Sequence, residues 1–177
     1  MNTAILEAPL PQPAAETRFR ALLEQYSAPI ARLAAAYEPN RADREDLVQD
    51  VWLALWRALP AFRGECSERT FIYRIAHNRA IAHASRRRSA VADLEEAADL
   101  PHPSPTSEQL LDMAQQRARL LAAIQRLPIL QREVVTLSLE DLSHAEIADV
   151  LGISENNVAV RLTRARAELI QRMGARR

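Results

Sequence analysis

Lysine is missing from this chain altogether: every one of its 23 basic residues is arginine. Surface positions do not need arginine's planar fork, so uniform replacement points to genome composition rather than to a site chemistry. Cysteine occurs once, at Cys66. That excludes an internal disulfide and fits a reducing, cytoplasmic setting. No apolar run reaches the ~18 residues that a membrane span needs. The opening residues, MNTAILEAPLPQPAAE, lack the basic start and long apolar core of a secretory signal. Aromatic residues make up 5% of the 177 positions and hydrophobic residues 48%. This allows one domain, or two small ones with modest cores. No strand-type alternation, internal repeat or dinucleotide-binding glycine motif occurs.

The residues that enzymes and metal centres need are also sparse. The four histidines are His77, His83, His102 and His144. His77 and His83 stand about 240° apart around a helix, so they share no face. Neither H-x-x-x-H nor C-x-x-C spacing occurs, which leaves no metal site. No P-loop or nucleophile elbow is present. Cys66 has arginines near it in sequence and could be reactive, but a small loop residue is the simpler reading. The expectation is a non-enzymatic chain without catalytic residues, metal or cofactor.

What is there begins with Ser143 to Leu169, SHAEIADVLGISENNVAVRLTRARAEL, which reads as helix, short turn, helix. Ser143 and Glu146 have the S-x-x-E spacing of a capping box. Ile147, Ala148 and Leu151 recur on one face. Gly152 sits where the chain must leave the helix, a position that commonly needs positive φ. Ile153 can drop into the core and Ser154 can cap the second helix. Val158, Leu162, Ala165 and Leu169 then fall on one stripe at about 100° per residue. The opposite side carries Asn156, Ala159, Val160, Thr163 and Arg164, flanked by Arg161 and Arg166. Such a helix can enter a major groove, where asparagine pairs with adenine and arginine with guanine or phosphate. A helical hairpin with solvated arginines is the alternative; cap, glycine turn and basic helix together favour DNA.

Formal net charge is zero, yet the charges are unevenly placed. Residues 1–88 carry 13 arginines and 10 acids, residues 89–112 no arginine and 6 acids, and residues 113–177 carry 10 arginines and 7 acids. Two mildly basic halves flank an acidic connector. Such a chain neutralises few phosphates and should bind duplex DNA weakly by itself.

Residues 1–16 read as a disordered tail rich in proline and alanine. A helix starts near Thr17, with Phe19, Leu22, Leu23 and Tyr26 apolar, and Pro29 predicts a break near Ser27. A second helix follows to Tyr37. The next helix starts near Asp43 and shows Leu47, Val48, Val51, Trp52, Leu55 and Leu59 as its stripe. Acids in its first turn fit ordinary capping or a docking face for a basic partner. Pro60 ends it. A loop, FRGECSE, leads into a basic helix from Thr70 to Arg88; residues 69–88 hold six arginines and no acid. Tyr73, His77 and Ile81 form one line on it, with Arg74 and Asn78 beside them. That suits stacking on bases and holding phosphates, or a solvated basic face. Residues 89–107 read as an acidic flexible linker with three prolines. A helix from Glu108 to Arg126 ends at Leu127-Pro128, and another follows with Leu130, Val134, Val135 and Leu137. The fold class is all-α: two small helical domains, 17–88 and 108–177, the second with the helix-turn-helix.

Two of these stretches, taken together, resemble one family. DREDLVQDVWLALWRALPAFRGECSERTFIYRIAHNRAIAHASRRR resembles region two of bacterial extracytoplasmic-function sigma factors. LLAAIQRLPILQREVVTLSLEDLSHAEIADVLGISENNVAVRLTRARAEL resembles their region four. The resemblance implies a dissociable initiation subunit that binds core RNA polymerase and directs it to promoters. It places Asp46, Leu47, Val48, Gln49, Asp50 and Leu53 on the clamp helices of the β′ subunit, and the second domain near the β flap. It assigns Arg63, Gly64, Glu65, Cys66 and Ser67 to an unstacked base of the minus-ten element, with Tyr73, Arg74, His77, Asn78 and Arg79 holding the same element. Ser154, Asn156, Asn157, Val160, Arg161, Thr163 and Arg164 would read the minus-thirty-five element. The acidic connector would thread the RNA-exit path. An anti-sigma partner, often membrane-attached in the family, is implied as well, with no membrane insertion of this chain itself.

The sequence departs from the family pattern at Phe71, where tryptophan is usual, and at His83, where aspartate is frequent. Threonine is common at Asn157 and lysine at Ala159, so the promoter sequence does not carry over from relatives. Two other classes compete. A sigma-like antagonist is disfavoured by the intact loop and basic helix. A response regulator needs an α/β receiver unit, which is absent.

Overall fold

The computed structural model describes residues 13–92 and 108–174, and every regular element among them is helical. The all-α reading is borne out. The first half holds α1 (Pro13–Tyr37), α2 (Arg41–Ala58), a 3-10 turn (Leu59–Ala61) and α3 (Glu68–Ala92). The second holds α4 (Glu108–Gln125), α5 (Ile129–Ser138), α6 (His144–Leu151) and α7 (Glu155–Gly174). Boundaries moved outward. α1 takes in residues expected in the tail, and α3 runs on through 89–92, expected in the linker. Residues 1–12, the linker remainder 93–107 and residues 175–177 lie outside the described residues.

The break expected near Ser27 does not occur; α1 is continuous with Pro29 inside it. Proline removes one backbone N–H, a cost of ~3 kcal/mol in an unsupported helix. Here Leu22, Tyr26, Ile30 and Leu33 are all buried on one side of that residue or the other. Packing on both flanks fixes the helical course. The hydroxyl of Ser27 also bonds back to the main-chain oxygen of Leu23.

α2 starts at Arg41, earlier than Asp43, because Asn40 caps it. Its side-chain oxygen accepts from the N–H groups of Ala42 (2.8 Å) and Asp43 (3.2 Å). α2 packs along α3, and both pack on α1. Ile30, Val51, Leu55, Ile72, Ala76 and Ala80 are wholly shielded at their centre. In the second half Val134, Ile147, Val158 and Ala165 are equally shielded. The buried side chains of both halves join in one cluster, because α6 lies on α3 while α4 and α5 lie on α1.

Candidate nucleic-acid and polymerase interface

On α2 the residues expected to meet polymerase divide between two faces. Asp46, Gln49 and Leu53 are exposed, Leu53 by 46%. Asp50 is half-buried beside them. At helical spacing these four form one stripe of carboxylate, amide and bare leucine. Leu47 is 1% exposed and Val48 is half-buried against the core. One residue along a helix turns the side chain by about 100°, so a run of five neighbours cannot all face one partner. Leu47 anchors the helix to Val51 and Leu55 and does not present a surface.

The loop between the 3-10 turn and α3 is pinned at both ends and bare at its tip. Phe62 stacks on Phe71 at 4.4 Å, and the Arg18 guanidinium lies 5.3 Å above Phe62 while pairing with Glu68. Ser67 caps α3: its hydroxyl accepts the N–H of Thr70 at 3.0 Å and lies 2.8 Å from the Thr70 hydroxyl. Between these anchors Arg63, Gly64 and Glu65 are exposed and Cys66 is half-buried. Gly64 has φ +77°, the left-handed turn that glycine adopts without strain. The loop is thus anchored at both ends around three exposed residues.

α3 presents Arg74, Asn78 and Arg79 to solvent. Tyr73 and His77, expected on the same DNA-facing line, are 2% and 7% exposed. The Tyr73 ring meets Tyr26 edge-on at 6.2 Å, and burial pushes its hydroxyl up to about 12. Burial likewise lowers His77 to about 4, and the Glu133 carboxylate 3.9 Å away does not offset it. Its ring is therefore neutral at pH 7. The periodicity found the line correctly, but other parts of the chain cover these two residues, so in this arrangement neither can stack on a base.

Sequence reasoning missed Glu38, which is wholly shielded. Its carboxylate accepts from Arg87 (2.8 Å) and from the N–H of Asn40 (2.8 Å), and lies 3.1 Å from His83. This ties the end of α1 to the end of α3. His83, where the family pattern often has aspartate, is thus held by an acid instead of supplying one.

The helix-turn-helix formed as its local signals required. Ser143 accepts the Glu146 N–H at 3.2 Å, and the Glu146 carboxylate accepts the Ser143 N–H at 2.8 Å, completing the capping box. Those bonds hold the Glu146 carboxyl below its ordinary range. Gly152 sits at φ +66°. The Ser154 hydroxyl is engaged as the cap of α7, accepting from the Asn157 N–H at 3.3 Å. Val158, Leu162 and Ala165 are buried, while Asn156, Asn157, Val160, Thr163 and Arg164 are exposed. Arg161 is half-buried, 3.7 Å from Glu133. No group of His, Cys, Asp and Glu among the described residues could hold a metal ion. No helix among them is long and apolar enough to cross a membrane.

Both halves of the chain match known proteins. Residues 22–90 match the sigma-70 region 2 family and residues 117–169 match sigma-70 region 4. The chain is 29% identical over 160 residues to the RNA polymerase sigma factor NccH of Alcaligenes xylosoxydans xylosoxydans, spanning 85% of this chain and 84% of that one. It is 32% identical over 158 residues to the ECF RNA polymerase sigma-E factor of Escherichia coli K12, spanning 84% and 82%. Among solved structures, CnrH in complex with the cytosolic domain of CnrY overlays with TM-score 0.68 at 27% identity, over 92% of this chain and 91% of that one. The sigma factor RpoE of Bartonella quintana, in complex with the anti-sigma factor NepR, shares the fold at TM-score 0.72 and 19% identity, over 91% and 99%. With both regions in order and relatives matched along most of their length, the chain belongs to the extracytoplasmic-function sigma factors, the subunits that bind core RNA polymerase and direct it to promoters.

Proposed function

We propose that this sigma factor divides its work among four surfaces. The Asp46, Gln49, Asp50 and Leu53 stripe of α2 docks on the β′ clamp helices, with Leu47 and Val48 supporting it from behind. The tip Arg63–Glu65, with Cys66, captures a base of the minus-ten element, and Arg74, Asn78 and Arg79 hold its backbone. Asn156, Asn157, Val160, Thr163 and Arg164 of α7 read the minus-thirty-five element, while the second half lies against the β flap. The acidic connector, expected over 89–107, links the two through the RNA-exit path. The chain acts in the cytoplasm as a specificity subunit without catalysis of its own. An anti-sigma protein holds it inactive; support comes from CnrH and the Bartonella sigma factor, both seen with bound protein partners.

The observation that carries this reading is α7. Its apolar stripe is buried and its amide, hydroxyl and arginine face is bare, on a helix fixed by a capped partner. Near-zero net charge fits, since core polymerase links two weak DNA contacts on one scaffold and raises their effective concentration. The test is run-off transcription with bacterial core polymerase and fragments of the source genome. Discrete transcripts that need this chain are expected. Tight core binding with no transcript from any fragment would point to an antagonist, and absence of core binding would overturn the assignment of α2.

A further inference from the structure

The exposed face of α7 is not uniformly polar. At the helical turn per residue, Asn156, Val160, Thr163 and Ala167 fall within one sector ~60° wide, and all four are exposed. Arg164 and Arg166, also exposed, stand ~70–90° to either side of its centre. Arg161 is turned further away, toward the Glu133 carboxylate at 3.7 Å. The middle of the face therefore carries no charge.

Hydrogen bonding decides what that middle offers to a partner. Thr163 donates its hydroxyl proton to the main-chain oxygen of Ala159 at 2.9 Å. This is the back-bond that threonine makes inside a helix, and it holds one rotamer. No proton remains on that oxygen for a base, and what Thr163 presents is its methyl group. Val160, 38% exposed, presents two more. Val160 also borders a cleft of about 470 Å³ between α7 and the start of α5, which Leu130, 51% exposed, lines as well. Neither side chain belongs to the packed core. Apolar groups gathered beside a polar face mark a surface that a partner covers.

In the major groove every base pair shows a different edge, and thymine is the base that carries a methyl there. Apolar side chains pack on that methyl, and an asparagine amide pairs with adenine. Guanine is read by arginine or lysine and cytosine by a carboxylate, none of which stands at the centre of this face. We infer that the centre of α7 is a methyl reader: Val160 and Thr163 pack on thymine C5 methyls of the minus-thirty-five element, with Asn156 on an adenine beside them, so the middle of that element consists of A·T pairs. This rests on α7 entering the major groove as proposed above. Val160 and Thr163 are then specificity-determining residues, and Arg164 stands at the edge of the sequence that is read.

The test begins with the element itself. Holoenzyme assembled from bacterial core polymerase and the full-length chain selects it from promoter fragments randomised over the minus-thirty-five region. Each thymine of the selected element is then replaced singly by deoxyuridine, which keeps the pairing and removes only the methyl. Burying one such group changes affinity about fourfold, so holoenzyme binding should weaken by about that factor at central thymines and stay level at outer ones. Val160→Ala and Thr163→Ser remove methyls from the protein; serine keeps the hydroxyl that bonds Ala159. In each variant, with folding checked by thermal unfolding, the deoxyuridine effect at one central position should shrink to under about twofold. G·C pairs in the middle of the selected element, no deoxyuridine effect at any thymine, or an effect that neither variant reduces would overturn the methyl reading. If Arg164→Ala still lowers promoter transcription in such a case, α7 keeps its place in the groove and only the methyl reading falls. A selection that yields no preferred base at any position would overturn the placement of α7 as well.

Discussion

The Asp50 carboxylate stands 3.8 Å from the Arg79 guanidinium, joining the helix assigned to polymerase to the helix assigned to DNA. One Asp50 oxygen is buried and makes no hydrogen bond within the protein. With side chains 37% and 47% exposed, such a pair is screened and contributes at most ~1 kcal/mol to folding. Its proposed role is recognition rather than stability. Asp50→Arg should leave thermal unfolding nearly unchanged and weaken core-polymerase binding by about tenfold or more, since a like charge now faces a basic partner. Fluorescence titration with labelled core measures it. Normal affinity in the variant would remove Asp50 from the interface.

Arg164 is exposed on α7, and no structural role depends on it. Arg164→Ala should leave core binding intact and lower promoter-specific transcription. An arginine contact with a base is worth ~1–3 kcal/mol, so about tenfold is expected. Loss of core binding in the same variant would mean the two functions are not divided between the halves as proposed.

His77 gives a pH dependence with a definite sign. Its folded value is about 4, below its ordinary 6.5. As pH falls through 6.5 the unfolded chain takes up a proton that the folded chain refuses, so stability falls until about pH 4. Glu133, raised by burial, opposes this in part, because its folded form gains a proton first. At ~1.4 kcal/mol per pH unit, His77 accounts for about 2 kcal/mol of lost stability between pH 7 and 5. His77→Gln should flatten the profile by that amount in urea unfolding at the two pH values. Parallel profiles for parent and variant would show that His77 does not govern the acid response.

Glu38 is the most deeply buried acid described. Glu38→Ala removes the acceptor shared by Arg87, His83 and the Asn40 N–H. Arg87 and His83 keep partial access to water, so the loss should be about 2 kcal/mol rather than the full cost of stranded charges. Thermal unfolding measures it; a change under ~0.5 kcal/mol would show the network to be dispensable.

What the sequence disclosed depended on range. Ser143–Glu146 and Gly152 act over three or four residues, and the structure has both in the expected form. Pro29 is also a local signal, and it misled because buried neighbours on both sides imposed the helix. Tyr73 and His77 were correctly placed on one line, yet periodicity cannot say what covers that line. The covering groups come from far away: Arg69 and Glu140 are 71 positions apart, Arg74 and Asp149 are 75. Family resemblance assigned a contiguous run to polymerase docking, whereas helical rotation turns Leu47 inward.

The separation of 108 positions between Arg32 and Glu140 also sets an order in time. A ribosome adding ~5–20 residues per second delivers Glu140 roughly 5–20 s after Arg32. Throughout that interval the first half can fold around the core that α1, α2 and α3 share, with Arg32 still waiting for its partner. The contact between the halves is therefore made late, after the helices of the first half are complete.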